Sequence, residues 1–340
     1  MRNYRFMSKC IIALLSCIIG LSSCGNKNKI PTNEILYTTV DNGVLPIKDS
    51  YNFGKGRIVS NSYVPDKNIC ILKFDKDVTE IGKGTFLNCS SLTSITIPPS
   101  VTKIGESALS YCPSLTSIAI PPSVREIKEG LSSGIFWGCS SLTSITVSKD
   151  NKVYDSREDC NAIIHTKSNT LIRGCEKTII PPSVTKIWKY AFSDCSNLTS
   201  ITIPESVTTI WEYAFSDCSN LTSITIPESV TKIGDGAFKD CSNLTSIAIP
   251  PSVTKIGYEP FHGCSSLTSI TIPPSVTQIG EKAFSGCSSL TSITIPPSVR
   301  KIGYFAFEGC SNLTEVRIPK GCNVDEWAFK NCPKVRIIRY

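Results

Sequence analysis

The chain has 340 residues, 41% hydrophobic and 19% charged, a balance that fits an ordered protein and argues against long disordered stretches. Its formal charge of +7 is mild for this length and falls to about +4 without Arg2, Arg5 and Lys9, so nothing in it calls for a nucleic-acid partner. Size alone would allow two or three domains, but an internal repeat removes that inference, because a stacked array grows without enlarging one core.

The first residues are set apart from the fold. Arg2, Arg5 and Lys9 form a basic start, and Cys10 to Ile19 form an apolar run too short to favour a membrane span. Leu21-Ser22-Ser23-Cys24 follows, and it resembles the bacterial lipobox. The resemblance implies cleavage after residue 23, lipidation of the Cys24 thiol and a membrane anchor on the outer membrane or cell surface. Residues 24–33 read as a short polar tether of roughly 30 Å when extended. Residues 34–76 lack the repeat and are expected to cap its first coil, as an exposed solenoid end requires.

From residue 77 to the end, self-similarity dominates. Cys195, Cys218, Cys241, Cys264, Cys287 and Cys310 recur at intervals of 23, as do Cys89 and Cys112. The unit from Leu267 reads Leu-Thr-Ser-Ile-Thr-Ile-Pro-Pro-Ser-Val-Thr-Gln-Ile-Gly-Glu-Lys-Ala-Phe-Ser-Gly-Cys-Ser-Ser. Leu267, Ile270 and Ile272 sit on the inward side of a short strand, and Thr271 points out. Pro273 ends the strand because it has no N–H to continue a ladder. Val276 and Ile279 give a second inward step, and Ala283 and Phe284 fill the far side of the coil. One such coil buries too little apolar surface to offset the entropy of ordering it, so neighbouring coils must share a core.

The spacing breaks twice. The interval from Cys112 to Cys139 is 27, with the extra residues near Glu129 to Gly134; that from Cys139 to Cys195 is 56. The second break marks an insertion at about 148–178, where Asn161 to Ile172 reads as a hairpin turning at Lys167-Ser168-Asn169 and protruding from one edge.

This unit resembles the leucine-rich repeats of the BspA-like bacterial surface family, whose motif runs L-x-x-I-x-I-P-x-x-V-x-x-I-G-x-x-A-F-x-x-C. The match spans roughly residues 78–335. It implies a single-domain leucine-rich-repeat solenoid of the α/β-type repeat class: a right-handed stack of short parallel β-strands joined by turns and short 3-10 or helical segments. It also implies an adhesin-like, non-enzymatic role, with host or bacterial surface proteins as partners; a glycan-capturing outer-membrane lipoprotein is the alternative. No catalytic, cofactor or metal residues are carried over.

The residues alone give little support to catalysis. Gly130-Leu131-Ser132-Ser133-Gly134 fits a nucleophile elbow by letter, but the strand-to-helix context is missing, and the only histidines are His165 and His262. Phe53-Gly54-Lys55-Gly56-Arg57 lacks the third glycine and helix of a dinucleotide loop, and Asp75-Lys76-Asp77 reads as part of the cap. Beyond Cys24 there are fourteen cysteines. Those of the repeat should project in parallel into the core as reduced thiols, because a disulfide needs converging Cβ atoms. Cys160 with Cys175 is the one pair outside that row to consider for a disulfide.

Two surfaces suggest binding. Outward Ser/Thr pairs (Ser94/Thr96, Ser144/Thr146, Ser200/Thr202, Ser223/Thr225, Ser269/Thr271, Ser292/Thr294) hardly vary, which suits a neutral face or a ligand that itself repeats. Variation lies between the Ile-Gly step and Ala-Phe. There Trp188 and Tyr190 face Trp211 and Tyr213 in the adjacent coil, and Tyr258 and Tyr304 recur on the same side. Stacked aromatics of this kind anchor protein or sugar ligands; mutual packing of Trp188 on Trp211 is the competing explanation.

Overall fold

The computed structural model describes residues 30–48, 50–128, 130 and 134–340. The signal segment, Cys24 and Leu131 to Ser133 lie outside these residues.

Each coil has two strand sides. On the first, Leu92–Ile95, Ser117–Ile120 and Ser144–Val147 pair in parallel, with Ile118 opposite Ile145. The pattern resumes with Ser200–Thr202, Ser223–Thr225, Ser246–Ala248 and Ser269–Thr271, in register Ser to Ser and Ile to Ile. It closes with Ser292–Thr294, Glu315–Ile318 and Arg336–Arg339. On the second side the inward step is itself a strand of two residues per coil, as in Lys186–Ile187, Thr209–Ile210 and Lys232–Ile233. Among the described residues there is no α-helix, and 3-10 turns occur only at Pro65–Lys67 and Arg157–Asp159.

Two backbone positions per coil adopt left-handed φ, and they explain which residues recur there. The residue before each repeat cysteine does so at Asn88, Tyr111, Gly138, Asp194, Asp217, Asp240, Gly263, Gly286, Gly309 and Asn331. All but Tyr111 are Asn, Asp or Gly, the residues that tolerate this region best. The residue before Ala-Phe, or before Pro260-Phe261 in one coil, does so at Tyr190, Tyr213, Gly236, Glu259, Lys282 and Phe305, a requirement most of those residues do not favour.

The core is a set of parallel ladders. Phe192, Phe215, Phe238, Phe261, Phe284 and Phe307 are all buried, and successive rings stack 5.0 to 5.8 Å apart. Behind them the buried thiols of Cys218, Cys241, Cys264 and Cys287 donate to the carbonyls of Phe192, Phe215, Phe238 and Phe261. Burial pushes the Cys195 and Cys287 thiols up to about 12, so they remain protonated. Hydroxyls do the same for other carbonyls: Thr222, Thr245 and Thr268 each donate to the threonine carbonyl one coil earlier, and Ser206, Ser229 and Ser275 to a valine carbonyl. Much of the repetition in the sequence therefore serves inter-coil hydrogen bonding.

At the amino-terminal end, Glu34–Thr39 lies antiparallel between Ile69–Phe74 and Leu92–Ile95, with Ile58–Val64 outside. Thr38 bonds Ser94 at 2.6 Å, so Ser94 is buried and not part of an exposed hydroxyl face.

The inserted segment does not protrude. Thr170–Arg173 pairs in parallel with Lys186–Ile187, and Ile163, Ile164 and Leu171 are fully buried. The hairpin, turning where expected between Ile163–His165 and Thr170–Arg173, takes a place in the second-side sheet. Its apolar alternation would be costly in solvent, and the unpaired edge of the next coil accepts it. Asn161 secures the splice on the first side: its side chain accepts from Ile145 N at 2.6 Å and donates to Thr143 O at 2.8 Å. Cys160 and Cys175 are free thiols.

Candidate functional site

The variable edge begins where tryptophan replaces the glycine of the Ile-Gly step. Elsewhere that glycine is needed: a Cβ on Gly234 would stand 2.5 Å from the backbone of Trp211 and Glu212. Gly236 likewise lies against the ring of Tyr213, at 2.3 Å from where its Cβ would be. The two glycines end the aromatic stripes after two coils.

Within that patch Trp188 and Trp211 are half-buried and pack on one another, with centroids 5.0 Å apart and planes tilted by 53°. Tyr190 and Tyr213 stack nearly parallel at 5.4 Å. Tyr190 is only 8% exposed, so its ring supports the patch and does not present a face to solvent. Lys232 Nζ sits 4.4 Å above the Trp211 ring and 3.5 Å from Glu212, a cation–π contact closing one side. The Trp211 indole N–H is buried with no hydrogen-bond acceptor, a donor left unsatisfied in the unbound protein.

The six predicted aromatic residues do not form one row. Tyr258, exposed, lies beside Lys282 at 5.6 Å. Below it the buried Glu259 carboxylate is held by Lys239 at 2.9 Å and Lys282 at 3.4 Å. Burial alone would raise the Glu259 carboxyl, but hydrogen bonds from Lys239 and Tyr258 and the Lys239 charge outweigh it and hold it below the usual range. Tyr304 belongs to another cluster near the carboxyl end, with Phe305 and the exposed Trp327 under Lys330. As site residues, Trp327, Lys282 and Lys330 are additions to the sequence reading. Aligning the last, shorter coil on Ala328-Phe329 places Trp327 in the variable edge, which is the signal that finds it.

The opposite, first-side face is regular. Ser223, Thr225, Ser269, Thr271, Ser292 and Thr294 are all exposed, and Ser223, Ser246 and Ser269 stand in register.

The profile of the BspA-type leucine-rich repeat region, in six copies, matches residues 57–165, 164–288 and 254–340. The chain belongs to this family. Comparison with curated proteins finds no match. Among solved structures it is similar to a leucine-rich repeat protein from Eubacterium ventriosum, at 25% identity and TM-score 0.62, covering 78% of this chain and 82% of that one. It is also similar to a leucine-rich repeat protein from Bacteroides ovatus, at 27% identity and TM-score 0.55, covering 87% of this chain and 70% of that one. The pneumococcal vaccine antigen PcpA shares the fold at 20% identity and TM-score 0.50, over 73% of this chain and 68% of its own. Leucine-rich repeats serve protein–protein interaction in general, and what this chain binds must be argued from its own surface.

Proposed function

We propose that this BspA-type protein is a non-catalytic cell-envelope lipoprotein, lipidated at Cys24, that binds host or bacterial surface proteins through the variable edge of its solenoid. One observation supports the site most: Trp188, Trp211 and Tyr213 form a two-coil platform flanked by Lys232 and bounded by Gly234 and Gly236. Aromatic groups with a polar handle and a neighbouring cation are the usual anchors of protein interfaces. Tyr190 underlies the platform, and Tyr258 and Tyr304 extend the aromatic edge toward the carboxyl end. The in-register Ser/Thr face favours a second reading, capture of a polysaccharide along the strands.

The test is a ligand screen with the intact chain against surface proteins and a glycan array, repeated with Trp188→Ala/Trp211→Ala. The proposal expects a protein ligand whose affinity falls by roughly 30-fold or more, a hot-spot loss of about 2 kcal/mol. Unchanged affinity in a variant that melts normally removes this site. Binding to glycans alone, lost on replacing Thr225 and Thr271, favours the second reading. Metabolic labelling with a fatty acid tests the anchor: a Cys24→Ala variant that still takes up label refutes it.

A further inference from the structure

The amino-terminal cap ends in a strand with an open edge. Ile58–Val64 lies outside Ile69–Phe74 in the first-side sheet, and among the described residues no strand pairs with its other side. No loop covers that side either, since the backbone of residues 58–64 makes no backbone hydrogen bond outside the strand pair among those residues. A row of unpaired N–H and C=O groups is a template for another strand, and such edges are ordinarily guarded by charge or proline. This one reads Ile-Val-Ser-Asn-Ser-Tyr-Val and has neither. The edge strand at the other end of the stack differs. Arg336-Ile337-Ile338-Arg339 carries arginine at both ends, and two such strands paired antiparallel would set Arg336 against Arg339.

The open strand is also self-complementary. About Asn61 as centre, Ser60 matches Ser62, Val59 matches Tyr63 and Ile58 matches Val64. Two copies paired antiparallel about a two-fold axis there oppose hydroxyl to hydroxyl and β-branched to aromatic or β-branched side chains, pairings that sheets favour. Val59, Ser60 and Ser62 are exposed. The Asn61 side chain is engaged within its own cap, accepting from the Tyr37 hydroxyl at 2.6 Å and donating to Leu45 O at 2.8 Å. Those bonds fix the centre of the strand, and the β-bulge between Ile58 and Ser60 lies outside the central triplet. Beyond the strand, the exposed Arg57 of one copy comes beside the exposed Asp66 of the other, once at each end. Pro65 begins a 3-10 turn, which stops the ladder before Lys55 and Lys67 stand opposite.

We infer that Ile58–Val64 is a dimerisation strand, to which a second copy of this chain adds its own Ile58–Val64 antiparallel, joining the two first-side sheets. A strand pair of this length falls below the roughly 1,200–2,000 Å² of a standard interface, so the dimer is reversible. The variable edge around Trp188 and Trp211 lies several coils away and stays free in both copies. The dimer therefore presents two such edges and gains avidity for whatever they bind.

The test follows the full-length chain in nonionic detergent by sedimentation velocity over micromolar to submillimolar concentrations. Ser60→Lys/Ser62→Lys and Ser60→Glu/Ser62→Glu are run alongside, with thermal melts to show that both fold as the parent does. The parent is expected to pass from monomer to dimer, and each variant alone to associate roughly tenfold or more weakly, because like charges then face each other twice. An equal mixture of the two variants regains the dimer, since lysine faces glutamate at both positions. A second measurement replaces Ser62 with a photoreactive residue in a heavy-isotope-labelled chain mixed with unlabelled chain. Its crosslink is expected on the unlabelled peptide that contains Ser60. A parent that stays monomeric, association that both variants retain, a mixture no tighter than either variant alone, or crosslinks confined to one copy or to another segment overturns the inference.

Discussion

At the scale of single residues, stacking turns each side chain's contribution into one shared with its neighbours. Phe238 lies between Phe215 at 5.4 Å and Phe261 at 5.8 Å, with nothing polar to fill its place. Phe238→Ala should lower stability by about 3–5 kcal/mol, because the coils on either side hold the cavity open; chemical denaturation checks this, and a loss under 1 kcal/mol would mean the ladder collapses freely. Asp217 gives a pH-dependent case. Burial first, then the charges of Asp194 and Asp240, raise its carboxyl from 3.8 to about 6. The folded state therefore holds this proton more tightly than the unfolded chain, so its contribution is complete below about pH 4 and is lost as pH rises to about 6. Asp217→Asn, which suits the left-handed φ of 59°, should be more stable than the parent at pH 7 and show a flatter stability profile between those limits. Thermal melts across that range measure it; a variant less stable at pH 7 contradicts the assignment. This behaviour could not be read in the sequence, where Asp217 looks like any acidic residue before a cysteine. Only the backbone's preference for Asn, Asp or Gly at that position leaves a trace there.

At the scale of elements, what could be read depended on how many residues carry a signal. The Ser-Ile-Thr strands alternate cleanly, and their positions follow from Leu198, Leu221 and Leu244 onward. The second-side strands hold two residues each, too few for any periodicity, and so only their inward direction was evident. The hairpin was legible from its alternation and turn; its incorporation into the sheet was not, because pairing of Leu171 with Ile187 is decided by an open edge elsewhere in the chain. Asn161 carries much of that splice, with a left-handed φ of 58° and two side-chain bonds to the preceding strand. Asn161→Ala should lower stability by about 2 kcal/mol or more, and Asn161→Gly, which relieves the backbone but not the lost bonds, by less. Equal midpoints for the two variants and the parent in urea would show that the splice is held by apolar packing alone. The aromatic edge was partly legible. The positions of Trp188 and Trp211 were clear from the repeat, whereas the burial of Tyr190 follows from its stacking against Tyr213, and only a three-dimensional stack reveals that.

At the scale of the whole molecule, each coil supplies acceptors to the next: carbonyl to thiol, carbonyl to hydroxyl, ring to ring. The same surfaces are reused along the chain, so regularity belongs to the interior and to the first-side face, and identity is left to the variable edge. The described residues form two buried clusters meeting at the inserted hairpin, the second of which runs from Cys160 to Cys332. That long cluster is the central claim in physical form. Spin labels introduced as non-canonical residues, which leave the cysteines untouched, test it directly. With one label at Thr202 and the other at Thr294, Arg317 or Ile338, all on successive first-side strands, pulsed electron resonance should give separations of roughly 19, 24 and 29 Å, rising by about 4.8 Å per coil. Separations that fail to rise with coil number would contradict a stack of parallel coils.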